Sequence, residues 1–360
     1  MPKSKIHRST APSASIFQEA VITTMGAGEK NYSIKEMVQE ATGASAATTP
    51  ASFFESRKRK YRVDPYATLG EGTYHIARHL GVPRGEDPAP ALVSIKPKQE
   101  WIPAQKISKI KKEADAFKIF NQAYPHLDAS FHVFRHRESG AVTYRAVMPD
   151  FGETLGDYVC DASVSNLDKV AILLKAAEEL QRLHIEVGHV HGDLKSNNIA
   201  VMHTPAGMKV VYFDLEFSTP IARFRIGIRH KEYPMARCCY YRQGENIEVS
   251  YIAPERKVLA GTPQSRLPYS LPNQDVYSFG YMLLEMLKHK DCPALASSQE
   301  VMQWIKSAME SDPLKRPSLA TGIQALEDLK KKLGNSQQDL KEEACDSQQA
   351  HSLVSLKLKG

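Results

Sequence analysis

From about Asp64 onward the apolar residues of this chain fall first into short runs and later into helical repeats. Tyr66 to Leu80 and Ala91 to Lys96 read as short strands around a glycine turn, and Phe131 to Arg137 and Val142 to Met148 as two more. Between these pairs Ile107, Ile110, Ala114, Phe117 and Phe120 recur at helical spacing, which predicts an amphipathic helix over Lys106 to Asn121. Further on, Val170, Leu173, Leu174, Ala177, Leu180 and Leu183 mark the inner face of a helix over Leu167 to His184. Val276 to His289 and Glu300 to Glu310 read as helices as well. A small sheet region with one helix, followed by a helical region, is an α+β arrangement with a cleft expected between two lobes.

The flanks have a different composition. Ala41 to Ser52 is almost wholly Ala, Thr, Ser, Gly and Pro, which cannot bury enough apolar surface to order itself. Residues 1–63 are therefore expected to be a mostly flexible extension. One short helix is expected inside it, because Ser33 and Glu36 have capping-box spacing and Met37 follows. Beyond Gly334 the chain turns to Gln, Glu, Asp and Ser, and residues 334–360 are expected to form a polar, flexible tail. One domain is left, over 64–333, with a sheet lobe over about 64–148 and a helical lobe over about 152–333.

Composition narrows the classes. Among the 360 residues 42% are hydrophobic and 24% charged, the balance of a soluble globular protein. The longest apolar runs, such as Val210 to Phe213, are far short of a membrane span, and the N-terminal lysines have no apolar stretch behind them to make a signal peptide. The 5 cysteines are odd in number and lack metal-ligand spacing; adjacent Cys238 and Cys239 read as reduced thiols of an intracellular protein, cytoplasmic or nuclear. The net charge of +6 is mild. Part of it sits in Arg57-Lys58-Arg59-Lys60 and Arg62, which reads as a nuclear-import signal, a patch for an acidic partner, or a solvated linker. The other basic residues are dispersed, so nucleic-acid binding is not indicated.

The chemistry concentrates in two places. His191-Gly192-Asp193-Leu194-Lys195-Ser196-Asn197-Asn198 sets an aspartate, a lysine two residues on and an asparagine five residues on in one tight loop. Phosphoryl transfer needs this kind of charge placement: a carboxylate to orient the acceptor hydroxyl and take its proton, an ammonium for the phosphoryl oxygens, an amide oxygen for a metal. A polar loop in which Asp and Asn merely cap turns is the plain alternative. The second place is Val210-Val211-Tyr212-Phe213-Asp214-Leu215-Glu216, an apolar strand ending in an aspartate 21 positions beyond Asp193. Such a carboxylate suits Mg²⁺, which prefers hard oxygen ligands and takes few of them from protein.

Together these segments resemble the catalytic loop and the metal-binding segment of eukaryotic-type protein kinases. The likeness runs across the domain. Gly70-Glu71-Gly72-Thr73-Tyr74-His75 is similar to the glycine-rich phosphate loop, Val93-Ser94-Ile95-Lys96 to the strand that supplies the ATP-phosphate lysine, and Glu113 stands where that lysine's partner is expected. Ile252-Ala253-Pro254-Glu255 resembles the end of the activation segment, Asp275 to Gly280 the start of the large buried helix, and Arg316-Pro317 the arginine that pairs with Glu255. The resemblance implies a bilobal kinase-like fold that binds ATP and Mg²⁺. It implies Asp193, Lys195, Lys96 and Glu113 as catalytic residues, Asn198 and Asp214 as metal ligands, and Gly70, Gly72, Met148 and Phe151 around the nucleotide. The stretch from Ala146 to Val159 would connect the lobes, with Met148 beside the adenine.

The chain also departs from the family. Gly192 replaces the arginine that usually follows the catalytic-loop histidine and receives an activation-segment phosphate, which argues against switching by phosphorylation there. The vaccinia-related kinases share that His-Gly-Asp variant. Glu216 replaces a glycine after Asp214-Leu215, and His75 the third glycine of the loop. The 41 positions from Asp214 to Glu255 are long for an activation segment, and the 41 from Asp275 to Arg316 are few for a helical lobe. Glu248-Val249-Ser250-Tyr251 stands where Ser/Thr kinases usually keep a threonine.

Three functions follow. The full charge set favours an ATP-dependent kinase acting on Ser or Thr of protein substrates, with Lys195 arguing against tyrosine specificity. Gly192 and Glu216 motivate a pseudokinase that binds nucleotide or scaffolds partners. The HGD loop and the acidic Glu216 also resemble the aminoglycoside and choline phosphotransferases, which phosphorylate small molecules.

Overall fold

The computed structural model describes residues 20–22, 32–34, 52–56, 59–71, 75–81, 92–97, 107–127, 129–135, 141–222, 234–241, 251–336 and 338. The chain divides into two compact units, Met1–Asp150 and Phe151–Gly360. Helices and small, mostly antiparallel sheets make up both, an α+β architecture.

In the first unit, β1 (Ala20–Ile22) pairs antiparallel with β2 (Tyr32–Ile34). Ser33, the expected cap, sits in that strand opposite Val21, and Glu36 and Met37 of the helix expected after it lie outside the described residues. Ladder hydrogen bonds to a partner strand outweigh a local capping signal. A six-stranded antiparallel sheet follows, built from β3 (Ser52–Ser56), β4 (Arg59–Glu71), β5 (His75–Gly81), β6 (Leu92–Pro97), β7 (Ser130–Arg135) and β8 (Val142–Pro149). Its order is β3-β4-β5-β6-β8-β7. It includes residues N-terminal to position 64, and Arg59, Lys60 and Arg62 of the basic run lie in β4.

Helix α1 (Ile107–Ala123) crosses from β6 to β7 and packs on β8. Its periodicity is realised in Ile110, Phe117 and Phe120, all buried. Phe117 meets Phe131 of β7 at 5.5 Å between ring centroids, and Phe131 meets Tyr144 of β8 at 5.0 Å. Aromatic pairs at these separations add to the area they bury, so this cluster ties helix to sheet.

The second unit begins with β9 (Glu153–Thr154) and α2 (Leu155–Cys160), started by a capping box between Thr154 and Asp157. Helix α3 (Asn166–Arg182) is capped by Ser165, whose hydroxyl accepts the Asp168 N–H at 3.1 Å. It continues as a π turn over Leu183–Val187 and stops at Gly188. Short strands follow: β10 (His189–Val190), β11 (Ile199–Thr204), β12 (Gly207–Tyr212), β13 (Thr219–Pro220), β14 (Cys239–Tyr241) and β15 (Lys257–Leu259). β9, β11 and β12 form one small sheet, β10 pairs with β13, and β14 lies parallel to β15.

Helices α4 (Asn273–Lys288), α5 (Gln299–Ala308) and α6 (319–336) complete the unit. Gly280 lets α4 and α5 approach closely, since a Cβ there would stand 2.7 Å from Cβ of Ala308. Leu173, Leu180, Leu183, Phe279, Leu283 and Leu295 are fully buried and form the centre of the core. Among the described residues no helix is long and apolar enough to cross a membrane.

Candidate functional site

A hairpin and the loop before it assemble the site. In β11 and β12 the register runs from Thr204↔Gly207 at the turn to Ile199↔Tyr212 at the base. One step beyond that base the Phe213 N–H donates to the Asn198 carbonyl at 3.1 Å. The hairpin thereby brings Asn198 next to the residue that precedes Asp214. Tyr212 anchors the base by donating its hydroxyl to the Ala176 carbonyl of α3 at 2.7 Å. Asp214 itself is in the left-handed region, with φ 57 and ψ 54. A non-glycine residue there persists only where its surroundings impose it, as functional sites often do.

The loop from His191 to Asn198 converges on one carboxylate. Lys195 Nζ lies 2.9 Å from Asp193 Oδ2 and Asn198 Nδ2 lies 3.0 Å from the same oxygen, while Asn198 Nδ2 also donates to the Asp193 carbonyl at 2.9 Å. Burial works against the charge of Lys195, but the Asp193 hydrogen bond and charge outweigh it and its pKa stands above the ordinary value. Leu194, fully buried between the two polar residues, pins the loop into the core.

Beneath the loop lies a buried carboxylate. Asp275, fully buried at the start of α4, accepts the backbone N–H of His191 at 2.6 Å and of Gly192 at 3.0 Å, and pairs with His184 Nε2 at 2.8 Å. Burial favours its neutral form, yet the His184 hydrogen bond and charge, with the Gly192 N–H, hold its pKa below the ordinary carboxylate value. The π turn carries His184 to this position. His191 is fully buried too. Its Nε2 lies 3.1 Å from the Phe213 carbonyl and its Nδ1 accepts the Asp193 N–H at 3.2 Å, which fixes a neutral ring with the proton on Nε2. Burial pushes the His191 pKa down, in keeping with that neutral state. Gly192 has φ +83, and a Cβ there would stand 2.4 Å from the Phe217 carbonyl oxygen.

Three arginines secure the chain after the site. Arg316, with no exposed side-chain surface, binds Glu255 through two hydrogen bonds of 2.8 and 2.7 Å. Arg256 is 4% exposed and donates to the carbonyls of Gly192 and Arg237, and Arg237 in turn donates to the Glu216 carbonyl. The Tyr251 ring sits 5.8 Å from Lys195 Nζ, within cation–π range. Lys195, Tyr251, Tyr281, Glu285, Met286 and Asp291 line a cavity of about 540 Å³ beside the loop.

Of the residues singled out from sequence, the structure brings together Asp193, Lys195 and Asn198, with Asp214 next to Phe213 at the hairpin base. The Phe151 ring lies 6.3 Å from that of Phe213. In the first unit, Gly70 lies in β4 opposite Ala77, just past a register irregularity, and Lys96 lies in β6 opposite Ile76. Glu113 is on α1 and Met148, buried, on β8 opposite Val93. Gly72, and Arg223, Arg225, Arg229, His230, Lys231, Glu248, Val249 and Ser250 of the long segment, lie outside the described residues.

Sequence reasoning missed the double role of Asp275, the Arg256 contacts and the Tyr251–Lys195 pair. Asp275 carried a signal, a charged residue opening an apolar helix; Arg256 carried none beyond its place after Glu255. Among the described residues no three His, Cys, Asp or Glu side chains gather as a metal cage. One carboxylate with an amide oxygen is nonetheless a donor set that fits Mg²⁺, which keeps water and substrate phosphates for its other positions. No family model matches the chain, and no curated protein matches it.

Proposed function

We propose that this chain is an ATP-dependent protein kinase of bilobal, eukaryotic-type fold that phosphorylates Ser or Thr of protein substrates. The observation that carries this reading is the convergence of Lys195 and Asn198 on one carboxylate oxygen of Asp193, with Asp214 set beside them by the β11–β12 hairpin. Such a cluster has little use as a turn, because Asp193 needs neither partner to cap one.

In the proposed reaction Asp193 accepts the proton of the acceptor hydroxyl as its oxygen bonds the γ-phosphorus. The bond from that phosphorus to the β–γ bridging oxygen breaks, and ADP leaves. Lys195, charged throughout, offsets the negative charge on the transferring oxygens. Asn198 and Asp214 would hold Mg²⁺, which neutralises phosphate charge when bound. Lys96 and Glu113 of the first unit would serve as the phosphate lysine and its partner, with Gly70, Gly72, Met148 and Phe151 as nucleotide contacts. The cavity beside Lys195 and Tyr251 offers room for an acceptor.

A screen of phosphoacceptors with Mg·ATP tests the reading. Labelling of protein serine or threonine, lost in Lys96→Met, supports it. Labelling confined to aminoglycosides, choline or other small alcohols replaces it with a small-molecule phosphotransferase. Nucleotide binding with no transfer to any acceptor replaces it with a pseudokinase.

A further inference from the structure

The peptide groups around Gly192 are held from both sides by buried, ionised side chains. Asp275 takes the Gly192 N–H at 3.0 Å, and Arg256 donates Nη1 to the Gly192 carbonyl at 2.5 Å. That carbonyl belongs to the peptide bond leading into Asp193. The same guanidinium donates Nε to the Arg237 carbonyl at 2.9 Å, so one side chain joins the loop to the chain that follows Asp214. Arg237 closes the circuit by donating to the Glu216 carbonyl. In this conformation the Phe217 carbonyl occupies the space where a Cβ at position 192 would stand, and the tie comes from Arg256 instead. Both bonds of Arg256 are charge-assisted and shielded from water, and its planar fork fixes their relative direction.

Resting on the transfer reaction proposed above, we propose that Arg256 is a positioning residue for that reaction. It orients the Gly192–Asp193 peptide and holds the segment around Arg237 on the catalytic loop.

The test compares the full-length parent, Arg256→Lys and Arg256→Met. It reads circular dichroism, amide hydrogen exchange over residues 190–195, and kcat and KM for Mg·ATP separately. Misplacement of a reacting group by about 1 Å costs on the order of 10²-fold in rate, so kcat of Arg256→Met should fall by about that factor. KM for Mg·ATP should stay within roughly twofold, since Arg256 orients the loop and does not hold nucleotide. Exchange over 190–195 should accelerate. Arg256→Lys should recover part of the rate, one ammonium being unable to span both carbonyls in the fork geometry.

An unchanged kcat in either folded variant, or a loss confined to KM, overturns the role of Arg256 and leaves the transfer reaction standing. Should Arg256→Met fail to fold, Arg256→Lys decides by the same criteria. A parent that shows no Asp193-dependent transfer overturns the proposed function and the role of Arg256 with it.

Discussion

The carboxylate of Asp275 accepts the backbone N–H of His191 at 2.6 Å across 84 positions of sequence. The second unit therefore sets its polar loop from the first turn of its central helix rather than from the loop's own turn chemistry. Asp275→Asn keeps the shape but turns an N–H₂ group toward a backbone donor. We expect a loss of about 3 kcal/mol in unfolding free energy, read as a lower urea midpoint with an unchanged slope.

The Glu255–Arg316 pair is a second anchor, and Arg316 does more than pair. It also donates to the carbonyls of Glu310 and Asn273 and lies 5.0 Å over the Tyr277 ring. Arg316→Lys cannot reproduce a two-bond fork with these further contacts. Its destabilisation should approach that of Arg316→Met, about 3–5 kcal/mol for breaking a buried pair. A lysine variant as stable as the parent would show that charge alone suffices.

Gly192→Ala isolates the backbone constraint. The added Cβ meets the Phe217 carbonyl at 2.4 Å and the residue must keep a positive φ. Strain at such a position costs on the order of 1–3 kcal/mol, so thermal unfolding should shift down. An alanine variant with the parent's melting temperature would mean that the Phe217 turn relaxes freely.

His191 gives the fold an acid limit. Its folded pKa is held below the ordinary 6.5 by burial, so the unfolded chain binds a proton there before the folded chain does. Stability is complete above about pH 6.5 and declines as pH falls below it. Asp275, whose folded pKa is lowered from 3.8, keeps its contribution until more acidic pH. Urea midpoints measured from pH 8 to 5 should fall below about pH 6.5 in the parent, and His191→Gln should flatten that decline.

How much of this the sequence disclosed depended on whether a feature was local. The face of α1 was legible, since Ile110, Phe117 and Phe120 at helical spacing are the residues that became buried. So was the body of α3, from Val170 to Leu180. The π turn over Leu183–Val187 was not, and the contact that His184 makes from it, with Asp275, spans 91 positions. Ser33 was read as a helix cap because capping spacing reports on a single turn, and it does not register pairing with Val21 of β1, 12 positions earlier. Within the site, Asp193, Lys195 and Asn198 were legible through spacing inside one loop. The burial of Arg256 against two carbonyls depends on residues 64 and 19 positions away, which no local pattern encodes.

The most direct measurement is transfer of labelled γ-phosphate from Mg·ATP to protein acceptors by the purified parent and by Asp193→Asn. Asparagine preserves the shape of the side chain but cannot take up the hydroxyl proton. Loss of a general base costs about 10²–10⁴-fold, and the account predicts a fall of that order with folding and nucleotide binding retained. A variant that transfers phosphate to serine or threonine as fast as the parent would contradict it, because the carboxylate on which Lys195 and Asn198 converge would then have no part in the chemistry.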